Sequence, residues 1–197
     1  EYVGGRPVRA VTSATGAMQA AFELIGIGAG DEVITPAQSF FATANVIERS
    51  GATTVFVDVD LATRNLDMAQ AEAAVTPRTR ALVVINPNNP SGAVYPRELL
   101  EKLVDIARRH HLLLMADEIY DQITYDDAAF CPMAAIAHDV PCLSFGGLSK
   151  VHRACGWRTG WALLSGEATR LGDYHHAIDL LGALRLCANV PGQFAVP

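Results

Sequence analysis

The side chains of this 197-residue sequence that could do chemistry are spread along its length: Ser13-Ala-Thr15-Gly, Phe40, Asn89-Pro-Ser-Gly92, Asp117 with Tyr120, Ser149-Lys150 and Arg158. They offer hydroxyls, a carboxamide, a carboxylate, a phenol, an amine and a guanidinium, the groups used in nucleophilic, acid–base and anion-binding chemistry. Each also has a plain structural reading. Asn86-Pro-Asn-Asn-Pro-Ser-Gly92 is a run of turn formers behind an apolar stretch. Asp117 can be a helix cap or a strand-end carboxylate, Lys150 a solvated amine in a glycine-rich loop, and Arg158 half of an ion pair.

Several other groups offer less. His110-His111 and His175-His176 are adjacent pairs, and neighbours in a helix point about 100° apart, so neither pair makes a metal clamp. His152, two residues after Lys150, could reach a site built on that lysine. Asp126-Asp127 and Asp58 with Asp60 lack calcium-loop spacing, and Gly28-Ala-Gly30 is no dinucleotide fingerprint. Cys131, Cys142, Cys155 and Cys187 form no Cys-x-x-Cys pair and read as reduced, mostly buried thiols. No metal site is expected.

Composition narrows the function classes. Half of the residues are hydrophobic and 18% are charged, which fits a folded chain. Fifteen Lys and Arg against 21 Asp and Glu leave a net charge of −6, the wrong sign for a phosphate-backbone partner, so nucleic acid binding is not expected. The longest apolar runs, Ala81-Leu-Val-Val-Ile85 and Leu112-Leu-Leu-Met-Ala116, fall far short of the ~20 residues that span a bilayer. Glu1-Tyr-Val-Gly-Gly-Arg-Pro7 shows no signal-peptide pattern, and a cytoplasmic setting is expected.

Apolar runs alternate with helical patterns along the chain, the mark of an α/β domain on a largely parallel sheet. Helices are expected from Ala17 to Ile25, Phe41 to Arg49, Asp67 to Val75, Pro96 to His110, and over much of Glu167 to Leu186. The fourth carries an apolar stripe of Leu99, Leu100, Leu103, Val104, Ile106 and Ala107. Strands are expected at Glu32–Thr35, Thr54–Asp58, Arg80–Ile85, Leu112–Ala116, Pro141–Phe145 and Gly160–Leu164. Asp117 then falls at the C-terminal edge of the sheet, where open α/β folds bind ligands. No linker or repeat interrupts residues 1–197, which read as one domain.

In this order and at these spacings the chemical set closely resembles the pyridoxal-phosphate enzymes of fold type I, the aspartate aminotransferase superfamily. From Asn86 to Val190 the chain is similar to alanine and related class I amino-acid aminotransferases, through Asn86-Pro-Asn-Asn-Pro-Ser-Gly-Ala-Val-Tyr95, Ala116-Asp-Glu-Ile-Tyr120, Gly147-Leu-Ser-Lys150, Gly156-Trp-Arg158 and Arg185-Leu-Cys-Ala-Asn-Val190. From about Val8 to Asp67 it is more similar to sugar-nucleotide aminotransferases, through Thr12-Ser-Ala-Thr-Gly-Ala-Met18, Gly28-Ala-Gly-Asp-Glu-Val-Ile-Thr-Pro36 and Gly51-Ala-Thr-Thr-Val-Phe-Val-Asp-Val-Asp60. The join would lie near Thr76-Pro-Arg-Thr-Arg80.

The resemblance implies a three-layer α/β/α sandwich on a mostly parallel mixed sheet, with residues 1–197 as the large cofactor-binding domain and the C-terminal small domain absent. It implies transamination between an amino acid and a 2-oxo acid, of alanine and glutamate type, with pyridoxal 5'-phosphate as cofactor and a homodimer as the working unit. The alternatives are a truncated or hybrid cofactor-binding domain with little or no turnover, and a sugar-nucleotide aminotransferase. By the same resemblance Lys150 would carry the cofactor aldehyde and then move protons. Asp117 would hold the ring nitrogen, Asn89 and Tyr120 the ring's phenolic oxygen, and Phe40 would stack on the ring, with Phe41 competing for that place. Ala14, Thr15 and Arg158 would hold the phosphate. Ser149 has a weaker claim to it, and Gly147 stands where relatives often carry a phosphate serine.

Overall fold

The computed structural model describes residues 8–166, 176–177 and 189–194. Seven strands form one mixed sheet: β1 (Val8–Val11), β2 (Glu32–Pro36), β3 (Thr53–Val57), β4 (Thr79–Ile85), β5 (Leu113–Asp117), β6 (Cys142–Gly147) and β7 (Gly160–Ser165). Between them run α1 (Ala14–Ile25), α2 (Phe41–Ser50), α3 (Met68–Ala73) and α4 (Arg97–His110), with a short α5 (Val190–Phe194) near the end of the chain. The helical expectation for Glu167 to Leu186 lies almost wholly outside the described residues.

The elements start and stop where side-chain chemistry dictates. Ser13 caps α1, its hydroxyl accepting from the Gly16 N–H at 3.0 Å, and Gly26 closes the helix at φ 71°. Helix α1 buries Ala14, Ala17, Met18, Ala21 and Phe22, the i, i+3, i+4, i+7, i+8 stripe of an amphipathic helix. Helix α4 carries Glu98 in its first turn and Arg108, Arg109 and His110 in its last, each opposing the local end of the helix dipole. The expected stripe of α4 faces inward, with Leu100, Leu103, Val104, Ile106 and Ala107 buried. His111 ends α4 at φ 56°, and the His110 Nε2 lies 3.6 Å from Glu72, so both histidines serve the helix end.

Strand order is β1-β7-β6-β5-β4-β2-β3. All neighbours pair parallel except those of β7, which runs against both β6 and β1. Alternate residues of the central strands feed two separate cores. Ile34, Leu82, Val84, Leu114, Ala116 and Cys142 pack with α4 residues on one face. Val33, Ala81, Val83, Met115, Leu143 and Phe145 pack with α1 and α2 residues on the other. Two covered faces make three layers, and explain the unbroken apolar runs at 81–85 of β4 and 113–116 of β5. Sequence periodicity misses β1, four residues of Val-Arg-Ala-Val with no buried side chain among them.

The topology places six chain segments on one edge of the sheet. The C-terminal ends of β2, β4, β5 and β6 lead into Phe40, Asn86, Asp117 and the lysine loop. Because β7 is antiparallel, its beginning, just after Arg158, lies at that same edge. Strand β1, antiparallel to β7, is parallel to the others and delivers Ser13 and the start of α1 there too.

Candidate functional site

These six segments surround one cavity of about 340 Å³, lined by Ser13, Ala14, Thr15, Phe40, Asp117, Tyr120, Ser149, Lys150 and Arg158, with Ile85, Ile119 and Cys155 completing the wall. Eight of the nine residues to which the resemblance gives a cofactor role therefore meet here. The ninth, Asn89, sits one hydrogen bond behind the wall, its Nδ2 donating to the Tyr120 hydroxyl at 3.0 Å.

The Asn-Pro-Asn-Asn-Pro-Ser-Gly loop divides its labour. Asn86 Oδ1 accepts from the Tyr95 N–H at 3.0 Å, and Asn88 Oδ1 accepts from Ser91 N–H at 3.2 Å and from Ser91 Oγ at 2.8 Å. These two asparagines hold the turn, and the third is free to face Tyr120. Because the Tyr120 oxygen accepts from Asn89, its own proton remains available for another acceptor.

Asp117 ends β5 and is 8% exposed. Burial pushes its carboxyl up to about 6, against the opposing pull of the Ile119 N–H, which it accepts at 3.2 Å, and of the Lys150 charge. A buried carboxylate held this way is ready for a cationic partner, which would draw it back down. Lys150 is exposed, with its Nζ 5.9 Å from the centre of the Tyr120 ring.

Other groups of the wall could hold an anion. The N–H groups of Ala14 and Thr15 lie in the first turn of α1 and have no carbonyl one turn before them, and the positive end of the helix dipole adds to them. Arg158, exposed and at φ 51°, spends one N–H on the Cys155 carbonyl at 2.8 Å, leaving the rest of its five-donor fork. Ser149 is partly buried, and its carbonyl accepts the Cys155 thiol proton at 3.0 Å.

The competition between Phe40 and Phe41 is decided by their neighbours. Phe40 lines the cavity and is 37% exposed, whereas Phe41 lies outside its wall and is 68% exposed, the two rings 4.4 Å apart. His152 is exposed and does not line the cavity. Asp60 caps a turn through the Ala62 and Thr63 N–H groups. Among the described residues no group of three or more His, Cys, Asp or Glu side chains could hold a metal, and no helix is long and apolar enough to cross a membrane.

One polar residue of the wall, Cys155, carries no signal in its spacing, whereas Ser13 carries a readable one, a hydroxyl residue immediately before a helix. The wall thus brings together helix-terminal N–H groups, a guanidinium, a buried carboxylate, an amine and an aromatic ring.

The family Aminotransferase class I and II matches residues 5–188, and the chain belongs to it. The match runs unbroken across residues 76–80, where the two sequence resemblances would join. The chain is 45% identical over 168 residues to alanine aminotransferase of Mycobacterium tuberculosis, covering 85% of this chain and 39% of that one. It is 43% identical over 171 residues to glutamate-pyruvate aminotransferase AlaA of Escherichia coli, covering 86% and 42%. It thus spans about two fifths of the length of these curated relatives. Among solved structures it is similar to an aminotransferase from Escherichia coli (TM-score 0.90, 38% identity, 94% of this chain and 46% of that one). It is equally similar to an alanine aminotransferase from Pyrococcus furiosus (TM-score 0.90, 34% identity, 95% and 48%).

Proposed function

We propose that residues 1–197 are the cofactor-binding domain of a pyridoxal-phosphate-dependent aminotransferase that exchanges an amino group between an amino acid and a 2-oxo acid, of the alanine and glutamate type. The observation that carries this reading is the convergence of Lys150, Asp117, Tyr120 and Arg158 on one cavity with the first turn of α1. Their chemistry fits the cofactor group by group. A phosphate dianion suits Arg158 and the Ala14 and Thr15 N–H groups. A protonated ring nitrogen suits the buried Asp117, and an aldehyde suits the amine of Lys150. Relatives named for alanine and for glutamate with pyruvate support the substrate class. A homodimer in the cytoplasm is proposed on the resemblance of the motifs.

When bound, pyridoxal phosphate supplies an electron sink for the negative charge left when an amino acid loses its α-proton. The protein does the rest. Asp117 would hold a protonated ring nitrogen by its opposite charge. Asn89 orients Tyr120, whose hydroxyl proton is left to hold the ring's phenolic oxygen. Lys150 would hold and move the substrate's α-proton at its Nζ, as general base and then general acid. Phe40, in the cavity wall, would flank the ring.

The sequence contains two lysines, Lys102 and Lys150, and Lys102 lies exposed on α4, so the assignment has a sharp test. Borohydride reduction of the chain mixed with pyridoxal phosphate, followed by peptide mapping, should fix the cofactor on Lys150. Lys150→Ala should abolish the visible absorbance band and keep the fold. Label on Lys102 alone would overturn the site. Loss of the band on adding alanine or glutamate would favour turnover, and a band indifferent to every amino acid would favour a binder without turnover.

A further inference from the structure

Helix α1 and the lysine loop meet across two residues that have no side chain. Gly147 faces Gly160 in the β6–β7 register, and Gly160 also pairs with Val11 at the end of β1. Both are buried, and neither has a positive φ, so backbone conformation does not call for glycine at either position.

Space does call for it. A Cβ on Gly160 would lie 2.9 Å from the Ser13 carbonyl carbon, 3.0 Å from Ser13 Cα and 2.9 Å from the Gly146 oxygen. A Cβ on Gly147 would lie 3.0 Å from the Thr159 oxygen, 3.1 Å from Gly160 Cα and 3.2 Å from Ile119 Cδ1. Carbon atoms in ordinary contact sit about 3.5–4.0 Å apart. At Gly160 all three crowded atoms are backbone, with no rotamer to yield, so relief requires the Gly146 carbonyl to shift and Ser13, with the first turn of α1, to withdraw. That turn supplies the Ala14 and Thr15 N–H groups of the cavity.

We propose that Gly147 and Gly160 form a side-chain-free notch that seats the first turn of α1 against the lysine loop, and so positions the phosphate-binding end of the site. The inference rests on the cofactor reading above. Both glycines are positioning residues with no contact to the reacting atoms: Gly160 meets Ser13 directly, and Gly147 acts through Gly160, which it faces. One consequence runs against simple analogy: Gly147→Ser, which supplies the hydroxyl that relatives often use on phosphate, weakens phosphate binding here, because its Cβ crowds Gly160.

The test compares pyridoxal phosphate with pyridoxal, which has the same ring and aldehyde and no phosphate. Dissociation constants for both are measured by absorbance titration on the wild-type chain, Gly160→Ala and Gly147→Ser. Gly160→Ala should weaken pyridoxal phosphate about ten- to a hundredfold, the scale of losing charge-assisted hydrogen bonds, and pyridoxal less than about threefold. Gly147→Ser should show the same selectivity with a smaller loss. Equal losses for the two ligands, unchanged affinities, or tighter pyridoxal phosphate binding by Gly147→Ser would overturn the notch. If Gly160→Ala does not fold, Gly147→Ser, with its longer contacts, decides alone. A wild-type chain that binds neither ligand would overturn the cofactor reading itself.

Discussion

At the scale of single residues, the proposed cofactor site separates groups that would bind directly from groups that are held in an unfavourable state until something binds. Arg158 is of the first kind, and Arg158→Ala should weaken pyridoxal phosphate by about 1.5–3 kcal/mol, the range for a hydrogen bond to a charged group. Unchanged affinity in a direct titration would move Arg158 to the surface. Asp117 is of the second kind. Its ordinary value of 3.8 is raised to about 6 by burial, so the folded chain holds this proton more tightly than the unfolded one. Such a carboxyl costs nothing below about pH 4 and its full penalty above about pH 6. Asp117→Asn keeps an oxygen for the Ile119 N–H and removes the charge. It should stabilise the ligand-free chain by about 2–3 kcal/mol near pH 8 and leave it unchanged near pH 3, as urea unfolding at the two pH values would show. No gain near pH 8 would mean that the carboxylate already has a compensating partner. Stability given up at a binding site in this way is a common trade.

At the scale of elements, most of the architecture was legible. Strands β2 to β7 and helices α1 to α4 fall within a few residues of where periodicity, caps and breakers put them. The apolar stripe of α4 and the turn formers after β4 were readable because each depends on neighbours in the chain. Helix α1 begins three residues before its apolar periodicity is evident, at Ala14, because Ser13 supplies the cap. Ser13→Ala removes the acceptor of the Gly16 N–H and should cost about 1 kcal/mol of stability in chemical denaturation, a typical price for a helix cap. Leu103→Ala, in the fully buried stripe of α4, should cost about 2–5 kcal/mol, and a smaller loss would mean that the two facing layers close the gap. Strand β1 was not legible. Four residues at the rim of a sheet carry too little alternation to announce themselves, and their pairing with β7 depends on a partner about 150 positions away in sequence.

At the scale of the whole molecule, Asp117 and Glu118 act together on pH dependence. Glu118 is partly buried, its carboxylate accepting from the Met133 N–H at 2.7 Å, and burial pushes it up to about 7. Carboxyls lowered by their partners, among them Glu32, Asp67 and Asp139, lose their contribution only as pH falls below about 4. Between about pH 4.5 and 7 the two raised carboxyls dominate, and the ligand-free chain should lose stability as pH rises. Pyridoxal phosphate should flatten that slope, since a protonated ring nitrogen draws Asp117 down, and at a hundred times its dissociation constant it should add about 2.7 kcal/mol. Unfolding curves across that range, with and without the cofactor, check both statements; stability rising from pH 4.5 to 7 without ligand would contradict the first.

The sequence by itself determined the chemistry: which amine, carboxylate, phenol and guanidinium are present, and the local elements that carry them, because caps, turns and apolar periodicity act over a few residues. Tertiary structure alone decided that they meet. Reversal of β7 brings Arg158 to the edge that holds Asp117, and the β1 pairing brings in the start of α1. The same packing put Phe40 rather than Phe41 in the wall, turned Asn89 toward Tyr120, and left room for no side chain at Gly147 and Gly160. Each of these is a contact between segments far apart in the chain, set by strand order and close packing, and no local pattern in the sequence encodes either.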